Sequence, residues 1–154
     1  MMTLDLPSAP QHKINLTHLR PFLTRARKAV PLAGEVSILL TSDKNIQTLN
    51  RSWRKKNKPT DVLSFPAADF PDHIAGDIAI SLDTAARQAR RFGHPLQIEI
   101  KILMLHGLLH LAGYDHETDR GQMAQREDEL RRRFRLPPTL ISRTKPTPRK
   151  QATR

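Results

Sequence analysis

Three histidines lie close together in the chain, with a spacing that is typical of metal ligands. The segment HGLLHLAGYDH contains His106, His110 and His116. Residues four positions apart share one face of a helix, so the rings of His106 and His110 can bind one ion at about 2.0–2.1 Å. Gly113 permits the positive φ of a turn that returns His116 toward this pair. The alternative, three histidines that only form hydrogen bonds at a helix end, is disfavoured by the third histidine after a glycine turn.

The chemistry of such a site follows from its ligands. Three neutral imidazoles leave one position of a tetrahedral ion open, which is the arrangement of a catalytic metal rather than a closed structural one. Zinc is the preferred ion, although imidazole also binds nickel, copper and iron. The chain has no cysteine. Thiolate zinc sites, iron–sulfur clusters and disulfides are therefore excluded, and a reducing cytoplasm is the expected compartment.

The spacing H-x3-H-x2-G-x2-H also resembles that of the metzincin zinc proteases, and it predicts a metzincin-like metal site. Those proteases have a glutamate after the first histidine, where it acts as the general base for the zinc-bound water. This chain has Gly107 at that position. Peptide hydrolysis by that mechanism is therefore disfavoured, and the glycine predicts open space beside the metal.

The charge of the chain favours a polyanionic partner. Its 154 residues include 26 Lys and Arg against 15 Asp and Glu, a net charge of +11. Five of these positive charges lie in residues 142–154, which contain two prolines and no large apolar residue. We expect a basic disordered tail at 142–154 and a single folded domain at 1–141. A second basic cluster lies inside the folded part and comprises Arg51, Arg54, Lys55, Lys56 and Lys58. Such a balance is typical of proteins that bind nucleic acid, although charge for solubility alone is the alternative.

Membrane and secreted classes are not favoured. No apolar run approaches the roughly 18 residues that are needed to span a bilayer. Residues 1–13 lack a basic segment followed by an apolar stretch, so no signal peptide is expected.

The hydrophobic pattern predicts an α+β domain. Helical spacing of apolar residues indicates five helices, at 14–32, 42–53, 84–92, 96–111 and 119–135. The last of these helices has capping-box spacing at Asp119 and Gln122. Short apolar runs indicate strands at 36–41, 61–65 and 76–81, with 4–6 as a candidate edge strand and 67–75 as a loop. The helix at 96–111 is apolar on nearly every side. The sequence therefore predicts a small mixed sheet of about four strands, packed with helices around a central helix that carries His106 and His110.

Three segments together resemble one known family. In chain order, these segments are LNRSWRKKNKPTDVLSFP (49–66), GDIAIS (76–81) and HGLLHLAGYDH (106–116). The same order of motifs is found in the YbeY family of bacterial zinc-dependent endoribonucleases. Met123 and Glu127 also fit the final helix of that family. The resemblance covers about residues 35–135. It implies one Zn²⁺ ion per chain, with His106, His110 and His116 as metal ligands and Arg54 as a catalytic arginine near the metal.

The resemblance also implies a biological role. It indicates a single-strand-specific endoribonuclease that matures the 3′ end of 16S ribosomal RNA and acts in ribosome quality control. Ribosomal RNA and the small ribosomal subunit are the implied partners, with neither a membrane nor DNA expected. Two other classes stay open at this point: a ribosome assembly factor with a structural metal, and a metzincin-like peptidase. The residues alone leave water and the 2′-hydroxyl of RNA as alternative nucleophiles, and they identify no general base.

Overall fold

The structure, a computed structural model, describes residues 2–5, 12, 14–32, 34–58, 60–66 and 74–137. These residues confirm the α+β class. The elements, in chain order, are β1 (Met2–Asp5), α1 (Leu16–Ala29), β2 (Glu35–Thr41), α2 (Asp43–Arg54), β3 (Val62–Pro66), β4 (Ile74–Ser81), α3 (Leu82–Phe92), α4 (Leu96–Leu111) and α5 (Gln122–Arg133). The tail expected at 142–154 lies outside the described residues.

The sheet is mixed, with the strand order β1-β2-β4-β3. Strands β1, β2 and β4 run parallel to one another, and β3 pairs antiparallel with β4. Among the described strands, β3 therefore forms one edge of the sheet. Ile78 on β4 lies between Ile38 of β2 and Ser64 of β3 in the register.

The predicted central helix is confirmed. Helix α4 contacts α1, α3 and α5 as well as β3 and β4. Its apolar side chains are buried almost without exception, which explains why they surround the helix instead of forming one stripe. Helix α2 packs on the opposite face of the sheet, where Ile46 contacts Leu63 and Ala79. The sheet thus separates the helix that carries two histidines from the helix at whose C-terminal end the basic cluster lies.

The expectation of open space beside Gly107 is wrong. A Cβ atom built on this residue would lie 3.0 Å from two side-chain carbon atoms of Ile78. The missing side chain therefore faces the sheet, and it allows α4 to approach β4 closely. A side chain at this position would require Ile78 to shift by a few tenths of an ångström.

Several predicted boundaries differ from the observed ones. Strand β4 begins at Ile74, inside the predicted loop, whose residues 67–73 lie outside the described part of the chain. Helix α5 begins at Gln122 and does not form the predicted capping box. The carboxylate of Asp119 accepts the backbone N–H groups of Gly121 and Met123, while the side chain of Gln122 accepts from Arg120. Asp119 still satisfies amide groups at this helix end, although it lies two residues before the N-cap residue Gly121.

The N-termini of α2 and α3 are joined by Asp43. Its carboxylate accepts hydrogen bonds from the hydroxyls of Ser81 and Thr84 and from the guanidinium of Arg87. Burial by itself would raise the pKa of Asp43, but these hydrogen bonds and the charge of Arg87 hold that pKa below its ordinary value. The charged form of Asp43 therefore stabilises the packing of the two helices.

Asp43→Asn is expected to lower the free energy of unfolding by about 1–3 kcal/mol at neutral pH, because hydrogen bonds to a charged group are lost. The pKa of Asp43 is lower in the folded state than in the unfolded state. The stabilisation by its charged form is therefore complete at pH values above the unfolded-state pKa, and it is lost as the pH falls through the folded-state pKa. The difference between parent and variant should thus shrink in acid. Chemical denaturation at several pH values measures it, with the exposed Asp77→Asn as control. A difference that is constant down to acid pH would contradict this role of Asp43.

The described helices include none that combines the length and the apolar character needed to cross a membrane.

Candidate metal centre

The three histidines converge at the C-terminal end of α4. Each offers one ring nitrogen, and these three atoms all lie within 4.8 Å of one another. His106 and His110 lie on successive turns of α4, with their Nε2 atoms 3.1 Å apart. Gly113 then has a φ of 98°, which residues with a side chain rarely adopt, and the chain turns back to His116. The turn predicted from the sequence is therefore confirmed, as is the proximity of the three rings.

Two of the rings are oriented by partners on their far side. The Nδ1 atom of His106 lies 2.7 Å from a carboxylate oxygen of Glu127, and both residues are buried. The Nδ1 atom of His110 lies 3.1 Å from the carbonyl oxygen of Tyr114. Because a carboxylate and a carbonyl accept a proton donor, both rings carry hydrogen at Nδ1 and direct the lone pair of Nε2 to the common point.

The surroundings of His110 favour the neutral form of its ring. Burial lowers the pKa of His110, and the neighbouring rings of His106 and His116 lower it further, against the opposing effects of the Tyr114 carbonyl and Asp115. The ring is therefore neutral at physiological pH. A neutral imidazole is the form that binds a metal ion.

The geometry fits a single metal ion. Two ligands at about 2.0–2.1 Å from a tetrahedral ion lie about 3.3–3.4 Å apart, close to the separation of the two Nε2 atoms. The Nδ1 atom of His116 is buried and has no hydrogen-bond partner among the described residues. The facing lone pairs of the two Nε2 atoms are unfavourable without a further group, so this set of donors is suited to a cation.

The histidines form one wall of a cleft of about 600 Å³. Its other described lining residues come from α2, β3 and the segment after α4, namely Arg54, Asp61, Val62, Ser64, Pro66, Gly113, Tyr114, Asp115 and Glu117. The carboxylate of Asp115 accepts a hydrogen bond from the backbone N–H of Glu117 and so caps the turn. The hydroxyl of Ser64 donates to the carbonyl of Gly107 and thereby joins the edge strand to α4.

Arg54 is the one Lys or Arg among the described residues that line the cleft. It ends α2, which packs on the far face of the sheet, so its side chain reaches the cleft past the edge strand β3. The residue is exposed, and its neighbours in the sequence include Arg51, Lys55 and Lys56. A guanidinium in this place presents a planar pair of donors to an anion in the cleft.

Glu127 was not identified as a site residue from the residues alone. A signal was present, because Met123, Glu127 and Leu130 lie along one face of α5 and are all buried. A carboxylate on such a face needs a partner. The sequence contains seven histidines and many arginines, so the pattern did not indicate which of them would be that partner.

The chain is similar to known proteins along most of its length. The family model described as Endoribonuclease YbeY matches residues 10–135. A protein named Endoribonuclease YbeY from Koribacter versatilis is 53% identical over 133 residues, which cover 86% of each chain. A protein of the same name from Solibacter usitatus is 50% identical over 122 residues, which cover 79% of this chain and 81% of the relative.

A solved structure shares the fold as well. The solution structure of TM1509 from Thermotoga maritima superposes with a TM-score of 0.60 at 28% identity, over 88% of this chain and 92% of that chain. The family model spans the described histidines and Arg54, and the relatives match along most of their length. The chain therefore belongs to the endoribonuclease YbeY family.

Proposed function

We propose that this protein is a zinc-dependent endoribonuclease that cleaves single-stranded RNA. We further propose that it acts in the cytoplasm on ribosomal RNA of the small subunit, at the 3′ end of 16S RNA, and in ribosome quality control. The observation that supports this function most strongly is the juxtaposition in one cleft of three convergent histidine nitrogens and the guanidinium of Arg54.

His106, His110 and His116 would hold the zinc ion. When bound, the ion would polarise a phosphoryl oxygen and lower the pKa of a water molecule toward neutrality. Glu127 and the Tyr114 carbonyl keep two of the rings in the tautomer that ligation requires. These hydrogen bonds thus limit the rotation of the His106 and His110 rings, so that both present Nε2 to the common point.

Arg54 has a different role from that of the three metal ligands. Its guanidinium would bind the oxygens of the phosphodiester that lies in the cleft and would stabilise the negative charge that develops there during cleavage. Its position at a helix end limits the directions from which it approaches the substrate. The other members of the basic cluster do not line the cleft, and they would attract the RNA backbone without contacting the reacting phosphate.

A three-substrate assay tests this function. The purified, metal-loaded protein is incubated with labelled single-stranded RNA, with duplex RNA and with casein, in the presence and absence of a chelator. The proposal predicts cleavage of single-stranded RNA that the chelator abolishes, with duplex RNA and casein left intact. Binding of RNA without cleavage would instead indicate an assembly factor with a structural metal, and casein hydrolysis would indicate a peptidase.

Glu127→Gln is expected to weaken zinc binding by about 10- to 100-fold, because the amide keeps an acceptor near His106 but lacks the negative charge. Competition against a chromogenic chelator measures the affinity. Thermal unfolding in excess chelator gives the control for fold, since a purely structural role of Glu127 would lower metal-free stability and leave zinc affinity unchanged. The latter pattern would contradict the positioning role.

A further inference from the structure

Trp53 is an exposed aromatic residue next to the cleft. It precedes Arg54 at the end of α2, and 71% of its surface is accessible, the largest exposure among the large hydrophobic residues that the structure describes. A tryptophan is costly to leave in water, because it contributes more apolar surface than any other side chain. An isolated exposed hydrophobic residue is nevertheless common, so the surroundings of the ring decide its meaning.

The ring of Trp53 is held by the sheet. It packs edge-on against Phe65, with ring centroids 6.2 Å apart and an angle of 64° between the planes. Phe65 lies on the edge strand β3 between Ser64 and Pro66, which both line the cleft. Because side chains alternate between the two faces of a sheet, Phe65 points to the face opposite that of Ser64 and Pro66. The Trp53–Phe65 pair therefore lies on the other side of the edge strand from the cleft. The indole is therefore fixed on one side and open to solvent on the other.

The chain that follows Trp53 is fixed as well. The buried side chain of Asn50 donates a hydrogen bond to the carbonyl of Lys58, and the backbone carbonyl of Asn50 accepts the N–H of Lys56. The side chain of Gln47 donates to Asn57. These contacts hold the basic segment against α2, the helix that ends with Trp53 and Arg54.

We propose that Trp53 stacks on an unpaired base of the RNA, beside the nucleotide whose phosphate Arg54 binds. This inference rests on the proposed function and adds a subsite to it. Positive side chains bind the backbone while an aromatic face accepts a base, which is the combination that single-stranded nucleic acids require. Bases inside a duplex are stacked on one another and offer no free face. The subsite thus gives a physical reason for preferring single strands.

The single tryptophan of the chain provides a direct probe. Intrinsic fluorescence of the full, metal-loaded protein, excited at wavelengths that tyrosine does not absorb, reports on Trp53 alone during titration with a short single-stranded RNA whose 2′-hydroxyls are methylated. Matched oligonucleotides each contain one abasic position. We expect the emission to be quenched at saturation, and we expect one abasic position to weaken binding by about 5- to 100-fold.

The variants separate stacking from charge. Binding of the labelled oligonucleotides is followed by anisotropy. Trp53→Ala should lose the penalty for the abasic position, whereas Trp53→Phe should retain most of it. Lys56→Ala should weaken binding of intact and abasic oligonucleotides by the same factor. Phe92→Ala changes an exposed aromatic residue that does not line the cleft, and it should leave both affinities unchanged.

The inference is overturned if RNA saturates the protein without changing its fluorescence, if Trp53→Ala keeps the full abasic penalty, or if the protein binds no single-stranded RNA. Cleavage of unmodified RNA by the parent protein is measured separately. Cleavage without quenching would overturn the subsite and leave the endoribonuclease function intact. Quenching with the abasic penalty but without cleavage would support the subsite and contradict the proposed function.

Discussion

His110→Ala is expected to remove most of the bound metal and to slow RNA cleavage by about 1,000-fold or more, because two imidazoles hold the ion weakly and its chemistry is lost with it. His110 is the suitable ligand to replace, since its Nδ1 partner is a backbone carbonyl. Replacing His106 would instead leave Glu127 buried without its histidine partner, and a loss of folding would then obscure the result. Elemental analysis of the purified chain measures the metal, and a single-turnover assay measures cleavage.

The control for this variant is His18→Ala, which removes an exposed histidine of α1. It should retain about one metal ion per chain and full activity. Circular dichroism of His110→Ala should match that of the parent stripped of metal. Full metal occupancy in His110→Ala would contradict the assignment of the three histidines as ligands.

Arg54→Lys is expected to lower the single-turnover cleavage rate at saturating enzyme by about 10- to 1,000-fold, or about 1.4–4 kcal/mol. Lysine keeps the charge but loses the planar pair of donors that matches two phosphate oxygens. Metal content should stay unchanged, and RNA affinity should fall little. The loss would therefore appear in the rate of the bound complex.

Lys56→Ala is the matched comparison for Arg54→Lys. Lys56 belongs to the same basic cluster but does not line the cleft. Its loss should weaken RNA binding slightly and leave the rate near normal once RNA is bound. Equal small losses in both variants would show that Arg54 is only one more member of a basic rim.

The histidine cluster was predictable because its geometry is local. His106 and His110 are related by the helical repeat, and His116 follows through a turn that Gly113 makes possible. Arg54 could not be predicted in the same way, because its neighbours in the sequence carry the same charge. Only the resemblance to the family distinguished it from them. Its position depends on α2 crossing the far face of the sheet and ending at the edge strand. That arrangement involves pairing of strands that are distant in the chain.

Two further features could not be predicted without the tertiary structure. Glu127 meets His106 only because α5 folds back along α4, and no local pattern specifies that contact. Gly107 was interpreted as space beside a metal, but the helix is rotated so that this residue faces Ile78. The hydrophobic pattern could not indicate the rotation, because α4 is apolar on nearly all sides. Periodicity therefore located the buried helix, while contacts from distant elements oriented it.

The most direct test of the account is to restore metal to the metal-free parent chain and to measure cleavage of single-stranded RNA after each addition of zinc. The account predicts that the single-turnover rate rises in proportion to added zinc, reaches its plateau at about one ion per chain and fails to recover in His110→Ala. Full-rate cleavage by the metal-free parent, or equal recovery in His110→Ala, would contradict it.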